Sequence, residues 1–273
     1  STKTKKTKDP MADPIHQFQI QPLPGLDFGE VTLPLVGTVH LAVTNSHLAM
    51  TVAFGLVILF LSLVTAKAQV VPGRMQAAGE ALFGMIDDLA ESIIGPEGKS
   101  LFPFIFTIFT FILAMNVLGL FLSFTATSQL AVTATFALLT IGLVLIIGFA
   151  KHGLGFFKLF VPSGVPWPVL FLVVPIEFVS FLLRPITLAL RLFGNMLGGH
   201  VALKVFAGFI IALGGLAASG GLGYLGIPGA ALSLGMVVGL TALEFLVAFL
   251  QAFVFAVLTC VYLNDVVNLG HGH

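Results

Sequence analysis

Within one apolar stretch, from Pro168 to Leu213, stand Glu177, Arg184, Arg191, Asn195, His200 and Lys204. An arginine keeps its charge, and placing it at a bilayer centre costs about 2.5 to 3.5 kcal/mol even on lenient insertion scales. Ionisable groups retained against that cost mark an ion pathway or a binding site by default. On a helix Glu177, Arg184 and Arg191, spaced by sevens, drift by only about 20° per step and share one stripe, with Asn195 one turn beyond Arg191. His200, nine residues past Arg191, is turned about half-way round the axis and with Lys204 makes a second polar face. In a later apolar stretch Glu244 and Gln251 are again seven apart, with small Ala248 between them. His200 and Glu244 are therefore expected to meet across two packed helices and, with Asn195 and Gln251, to line a wet cleft reaching partway into the membrane. Blander roles stand beside this one. A histidine or glutamine taken singly is satisfied by an interhelical hydrogen bond, and Arg191, Glu177 and Glu244 by an interhelical salt bridge.

With 58% hydrophobic and 9% charged residues, the chain lies far outside the composition of a soluble domain. Its formal net charge is zero and its basic residues are scattered, which excludes the clustered basic face of a nucleic-acid binder. The single cysteine, Cys260, has no intrachain partner and reads as a small buried apolar side chain. Neither a metal-ligand set nor a cofactor-binding motif is found. Ser1 to Pro10 carries Lys3, Lys5, Lys6 and Lys8 with no apolar region of the signal-peptide kind behind it. Met11 begins a more ordinary opening, so the first ten residues read as a leader, an extension or a tag.

The elements that must position the polar set predict an all-α, polytopic membrane protein. About five membrane-embedded helices are expected, plus one amphipathic surface helix. Residues 1–41 form an extramembrane N-terminal arm; the Pro- and Gly-rich part from residue 11 is irregular or partly helical. Residues 42–66 are a first span capped by Asn45 or Ser46, with His47 at its head. Residues 72–94 form an amphipathic interfacial helix, with Met75, Ala78, Leu82, Met85, Leu89 and Ile93 on one side and Gln76, Glu80, Asp87 and Glu91 on the other. Its polar face is mostly acidic, which favours docking on protein over anionic lipid. Residues 101–150 make a transmembrane hairpin in which Asn116 supplies a structural bond between helices. Lys151, His152 and Lys158 and a Pro162–Pro168 break follow, and residues 168–264 hold two long helices joined by a glycine-rich turn, Gly214 to Gly229. Some 45 residues of helix measure about 68 Å, so both must be steeply tilted or broken near Pro175 and Pro185. Two such helices side by side make a wall. Lys67, Arg74, Lys99, Lys151 and Lys158 share one side if the N-terminus is outside and the C-terminus cytoplasmic; the lysines of the first ten residues run against that pattern. No inverted repeat of the secondary-transporter kind is seen.

The run RLFGNM from Arg191, preceded by EFVSFLLRPITLAL and followed downstream by LQAFVFAVLTCVYL, resembles subunit a of the F-type ATP synthases, the stator proton-channel subunit. The resemblance covers the order of segments from about residue 42 to the end. It implies proton translocation through two offset half-channels, with Arg191 as the stator arginine facing a rotor ring. Asn195, His200, Glu244 and Gln251 would belong to the half-channel protons enter from, and Glu177 and Ser180 to the neighbourhood of the other. Many members have an acid at the His200 position and a histidine at the Glu244 position; here the pair is exchanged, which preserves its chemistry. The implied partners are a rotor ring of c subunits bearing a mid-membrane Asp or Glu, peripheral-stalk b-type subunits and the lipid bilayer. The proton is the transported ion, no cofactor or metal is implied, and the setting is a bacterial inner membrane in preference to a mitochondrial or thylakoid one. No GxxxxGK[ST] loop is present, so ATP chemistry would reside on other chains and this one is not an enzyme by itself. The principal alternative is a stand-alone proton-coupled secondary transporter in which Arg191 binds an anion; it would work in liposomes without partners. A purely structural membrane anchor would tolerate apolar replacements of the charged residues.

Overall fold

The computed structural model describes residues 22–33, 37–66, 69–121, 127, 129–161, 166–218, 224 and 226–269. The membrane body is all-α. Its helices are α1 (Asn45–Thr65), α2 (Arg74–Ile94), α3 (Gly98–Phe121), α4 (Leu130–His152), α5 (Trp167–Ala218) and α6 (Gly226–Val267). Of these, α1, α3, α4, α5 and α6 are long and apolar enough to cross a membrane. Before them stands an antiparallel hairpin, β1 (Pro22–Leu33) and β2 (Gly37–Thr44), in register from Leu33 opposite Gly37 to Pro22 opposite Thr44 with irregularities between. Over these residues the arm is thus extended where an irregular or partly helical course is expected. The alternation of Val39, Leu41 and Val43 with Thr38, His40 and Ala42 is a strand pattern, easily masked by the Pro and Gly around it. The first ten residues and the opening at Met11 lie outside the described residues.

Helix α1 starts one residue after its cap, which is Thr44 in place of Asn45 or Ser46. The Thr44 N–H donates to His47 Nδ1 at 3.3 Å. Helix α2 is amphipathic, and its apolar side packs on α3 and α6. The face it buries centres on Gly79, Ile86, Ala90 and Ile94, rotated from the stripe drawn through Met75 and Ala78, both exposed. Leu82, Met85, Leu89 and Ile93 lie half-buried along the flank of the same core. Asn268, past the end of α6, donates to the Ile94 carbonyl at 3.2 Å and ties the two helix ends together.

Inside a bilayer the lipid tails are as apolar as leucine, so close packing and hydrogen bonds hold helices together. The C-terminal half of α6 is built for that. Ala248, Ala252, Ala256 and Cys260 recur every fourth residue and are each 0% exposed, a small-residue stripe that lets neighbouring helices approach. Around them pack Ile105, Phe109 and Ile112 of α3, Val144 of α4, Leu188 and Leu192 of α5, and Ile86 of α2. Asn116 Nδ2 of α3 donates to the Ala248 carbonyl at 3.1 Å, the interhelical bond its position foretells; such bonds are worth about 0.6 kcal/mol, rarely more than 1.7. Cys260 is buried, as expected.

The last two helices are longer than their apolar runs suggest. Helix α5 has 52 residues and passes unbroken through Pro175 and Pro185, and α6 has 42. At 1.5 Å per residue they measure roughly 78 and 63 Å against a hydrocarbon core of about 30 Å, which requires a steep slant. They also run well into the stretch expected to be a glycine-rich turn. There the glycines serve close approach: a Cβ on Gly226 would stand 2.5 Å from the Leu213 carbonyl oxygen, and one on Gly229 2.8 Å from the Leu213 side chain. Helix α4 stops at Gly153, whose φ of 53° is a left-handed value. The chain continues as a 3₁₀ helix, Gly153–Phe160, whose Phe156 and Phe160 rings lie 6.4 and 5.6 Å from that of Phe181 on α5.

Gly148 of α4 is a sensitive point in this packing. A Cβ there would lie 2.6 Å from the Phe156 ring and 2.9 Å from Val266 Cγ1, and overpacking costs about 1 to 3 kcal/mol. Gly148→Ala is expected to lower the thermal unfolding midpoint of the detergent-solubilised protein. Gly142→Ala on the same helix, with nothing within 4 Å of the new methyl, is expected to be neutral or to stabilise by about 0.5 to 1 kcal/mol. Equal midpoints for the two variants would contradict the packing described.

Candidate functional site

The middle of α5 has two unlike sides. Phe181, Pro185, Leu188, Ala189, Leu192 and Met196 are buried at spacings of three and four, and Leu188 and Leu192 are the deepest of them at 1% and 0% exposed. Burying that face turns the opposite one outward. Ile176, Val179, Leu183, Thr187 and Arg191 form an exposed row along it. Among the described residues Arg191 makes no hydrogen bond and no ion pair. Its guanidinium is held on the molecular surface, exposed beside buried Leu192.

Arg184, one heptad earlier, is in the opposite condition. Its Nη1 lies 3.1 Å from Asp265 Oδ2 of α6, its Nη2 3.5 Å from Glu177 Oε1, and its guanidinium carbon 5.4 Å from the centre of the Tyr262 ring. Glu177, predicted as a site residue, is therefore half of a pair with the arginine on its own stripe. Ser180 is half-buried. It lines an open groove of about 520 Å³ together with Pro175, Ile176, Val179, Leu183, Arg184 and Thr187.

On the far side of Arg191 a second polar group spans α5 and α6. Asn195 Nδ2 donates to Gln251 Oε1 at 3.0 Å, and Gln251 is buried. Glu244, 8% exposed, packs its carboxylate against Gly199, where any Cβ would collide with Oε1. Neither carboxylate oxygen has a hydrogen-bond partner among the described residues. His200, half-buried, follows Gly199 directly on α5. It is thus a neighbour of the Glu244 carboxylate with no direct bond to it. The contacts Arg184–Asp265, Asn195–Gln251 and Gly199–Glu244 run in opposite order along the two helices, which fixes α5 and α6 as antiparallel partners.

Spacing along α5 sets the layout. Glu177 precedes Arg191 by roughly 21 Å and His200 follows it by roughly 13 Å at the helical rise. Two polar clusters thus flank a cation that is unpaired among the described residues. Three participants escape the sequence pattern. Asp265 and Tyr262 sit at the end of a long apolar run and acquire meaning only from the antiparallel register that sets them against Arg184. Gly199 is one of many glycines, and nothing but the Glu244 side chain distinguishes it. The arrangement can stabilise a carboxylate brought to Arg191 from outside the chain and can pass protons along the Glu244 side, where a buried acid, an imidazole and an amide pair are spread along the two helices.

A family model described as ATP synthase A chain matches residues 47–264. The "ATP synthase subunit a" of Chelativorans sp. (strain BNC1) is 50% identical over 260 residues, which cover 95% of this chain and 99% of that protein. The protein of the same name from Mesorhizobium japonicum is 48% identical over 260 residues, covering 95% and 98%. That from Rhodopseudomonas palustris (strain BisB18) is 50% identical over 262 residues, covering 96% and 100%.

The contrast between faces of α5 can be measured. With Arg191→Cys, labelling of the detergent-solubilised protein by N-ethylmaleimide is expected to be at least about tenfold faster than with Leu192→Cys, since a fully buried thiol is shielded from the reagent. Cys260 should stay unlabelled in both. Equal rates would show that Arg191 does not point outward.

Proposed function

The chain belongs to the ATP synthase A chain family, and from that membership we propose that it conducts protons through the membrane sector of a rotary ATP synthase, along two offset half-channels divided by Arg191. The observation that carries the proposal is the Arg191 guanidinium, exposed on an apolar helix and unpaired among the described residues, while Arg184 nearby is paired with Asp265 and Glu177. The cost of such a cation in a bilayer, about 2.5 to 3.5 kcal/mol, has to be offset by an anion from another chain. A carboxylate on a rotor of c subunits meets that need. At about 4 Å and an effective dielectric near 20 the pair gains roughly 4 kcal/mol, comparable with what an ionised carboxylate loses on leaving water. So a passing carboxylate sheds its proton beside Arg191 and takes one up again before it turns into lipid, and neither state is a deep trap.

Because the guanidinium does not deprotonate, it also blocks direct passage of protons between the two sides. Asn195, His200, Glu244 and Gln251 form the half-channel by which protons arrive. The unpartnered oxygens of Glu244 support that assignment, because a buried acid without protein donors suits exchange with a hydrated path. Ser180, in the groove on the other side, and Glu177, paired with Arg184 of that groove, serve the half-channel by which protons leave. A proton then rides the ring nearly all the way round, and each charge crossing the field releases about 2.3 kcal/mol per 100 mV.

The relatives and the charges lend support to a setting. They are bacterial proteins, which supports a bacterial inner membrane. The grouping of Lys67, Arg74, Lys99, Lys151 and Lys158 supports an external N-terminus and a cytoplasmic C-terminus; Lys151 pairs with Glu97, and Lys99 lies 3.9 Å from Glu91. Peripheral-stalk b-type subunits complete the stator, and the nucleotide chemistry belongs to other chains.

In membranes carrying the whole complex, Arg191→Ala is expected to abolish proton-driven ATP synthesis with the subunit still inserted. Arg191→Lys is expected to fail as well, since an ammonium loses its proton in a dry site. Normal synthesis by Arg191→Ala would defeat the proposal. Glu244→Leu should lose most ATP-driven proton pumping, and pumping at the wild-type rate would remove Glu244 from the path.

A further inference from the structure

Helix α5 carries two arginines a heptad apart, and the two are treated differently by the fold. Arg184 lines the same open groove as Ser180, Leu183 and Thr187, on the flank of the exposed row that ends at Arg191. At the helical rise the two guanidinium-bearing residues are roughly 10 Å apart. Nothing in their residue type separates them; what does is Asp265, which takes Arg184 Nη1 at 3.1 Å from α6, with Tyr262 under the guanidinium. The remaining contact, Glu177 at 3.5 Å, comes from α5 itself, and its side chain is 40% exposed; pairs of that kind hold weakly.

We propose that Asp265 is a positioning residue for the proton-translocating reaction: by occupying Arg184 it keeps a second guanidinium off the face of α5 that meets the rotor, so that Arg191 alone addresses the passing carboxylate. The inference rests on the function proposed above. With the Asp265 charge removed, Arg184 swings into the groove beside Thr187 and offers the carboxylate a second binding place one heptad from the first. A carboxylate held there stays ionised past its proper station, and rotation stalls. Asp265 neither touches the rotor nor exchanges the translocated proton in this scheme. It acts through Arg184, and removing Arg184 removes the need for it.

The test uses inverted membrane vesicles carrying the complete ATP synthase, with subunit content measured by immunoblot and with ATP synthesis and ATP-driven proton pumping as readouts. Asp265→Asn is expected to lower both at least about tenfold, and the double variant Arg184→Gln/Asp265→Asn to return to within about threefold of wild type, a coupling of the size seen between contacting residues. Asp265→Glu, which keeps a carboxylate opposite Arg184, is expected to stay within about threefold. A merely structural link between α5 and α6 would not be repaired by deleting its second half. The inference is overturned if Asp265→Asn works like wild type, if the double variant is no better than Asp265→Asn, or if Asp265→Glu is as poor as Asp265→Asn. Where Asp265→Asn fails to insert, the double variant decides: insertion with near-wild-type rates supports the inference, and failure to insert, or insertion with a tenfold loss, overturns it. Arg191→Ala in the same vesicles separates the two proposals. If it still synthesises ATP, the proposed function itself falls; if it is inactive while Asp265→Asn is normal, only the role of Asp265 does.

Discussion

A guanidinium that does not give up its proton is held on the surface of an apolar helix without a hydrogen bond or ion pair among the described residues, and the rest of the structure is arranged to keep it there. Leu188 and Leu192, buried on the packed face of α5, fix the rotation of the helix and with it the direction of the charge. Asp265 and Glu177 remove the rival arginine from competition. Asn195, although only one turn past Arg191, spends its amide on Gln251. Each of these contacts leaves Arg191 without an ion pair among the described residues, and a lone cation in lipid is costly.

That geometry depends on helices that lie close together at a slant. In a hydrocarbon solvent, burial of apolar surface gives little net drive, so stability comes from intimate contact. The Ala248, Ala252, Ala256, Cys260 stripe provides it at the centre of the molecule, and Gly226 and Gly229 provide it where α5 and α6 first meet. Gly199 permits the closest approach of all, backbone against the Glu244 carboxylate. Helices of 52 and 42 residues packed on one another form a long face, and on that face polar clusters can be offset from each other as well as from the cation between them.

Much of this was legible beforehand because it follows from periodicity. The heptad spacing of Glu177, Arg184 and Arg191 places them on one stripe, and the Glu177–Arg184 pair makes that stripe visible. The antiparallel pairing of α5 with α6 brings Asn195 to Gln251 as their positions require. The arm before α1 was less legible. Its Pro and Gly conceal an alternation that pairs into a hairpin, since strand signals are short and turn residues dominate them. The glycine-rich stretch between α5 and α6 misleads in the opposite way, because glycine marks either a turn or a close approach and composition does not distinguish them.

From its sequence alone this chain was bound to be a helical membrane protein, since no other fold satisfies the backbone of segments so apolar, and a cation within those segments was bound to be functional, since lipid does not tolerate it idly. Which of two arginines would stand free was not contained in the pattern. Both share the residue type, the stripe and the apolar surroundings. Only the antiparallel register of α5 and α6 sets Asp265 against Arg184 while Arg191 has no ion pair among the described residues, because a charge pair between residues so far apart in the chain exists only once two helices have been brought together at one depth and one rotation.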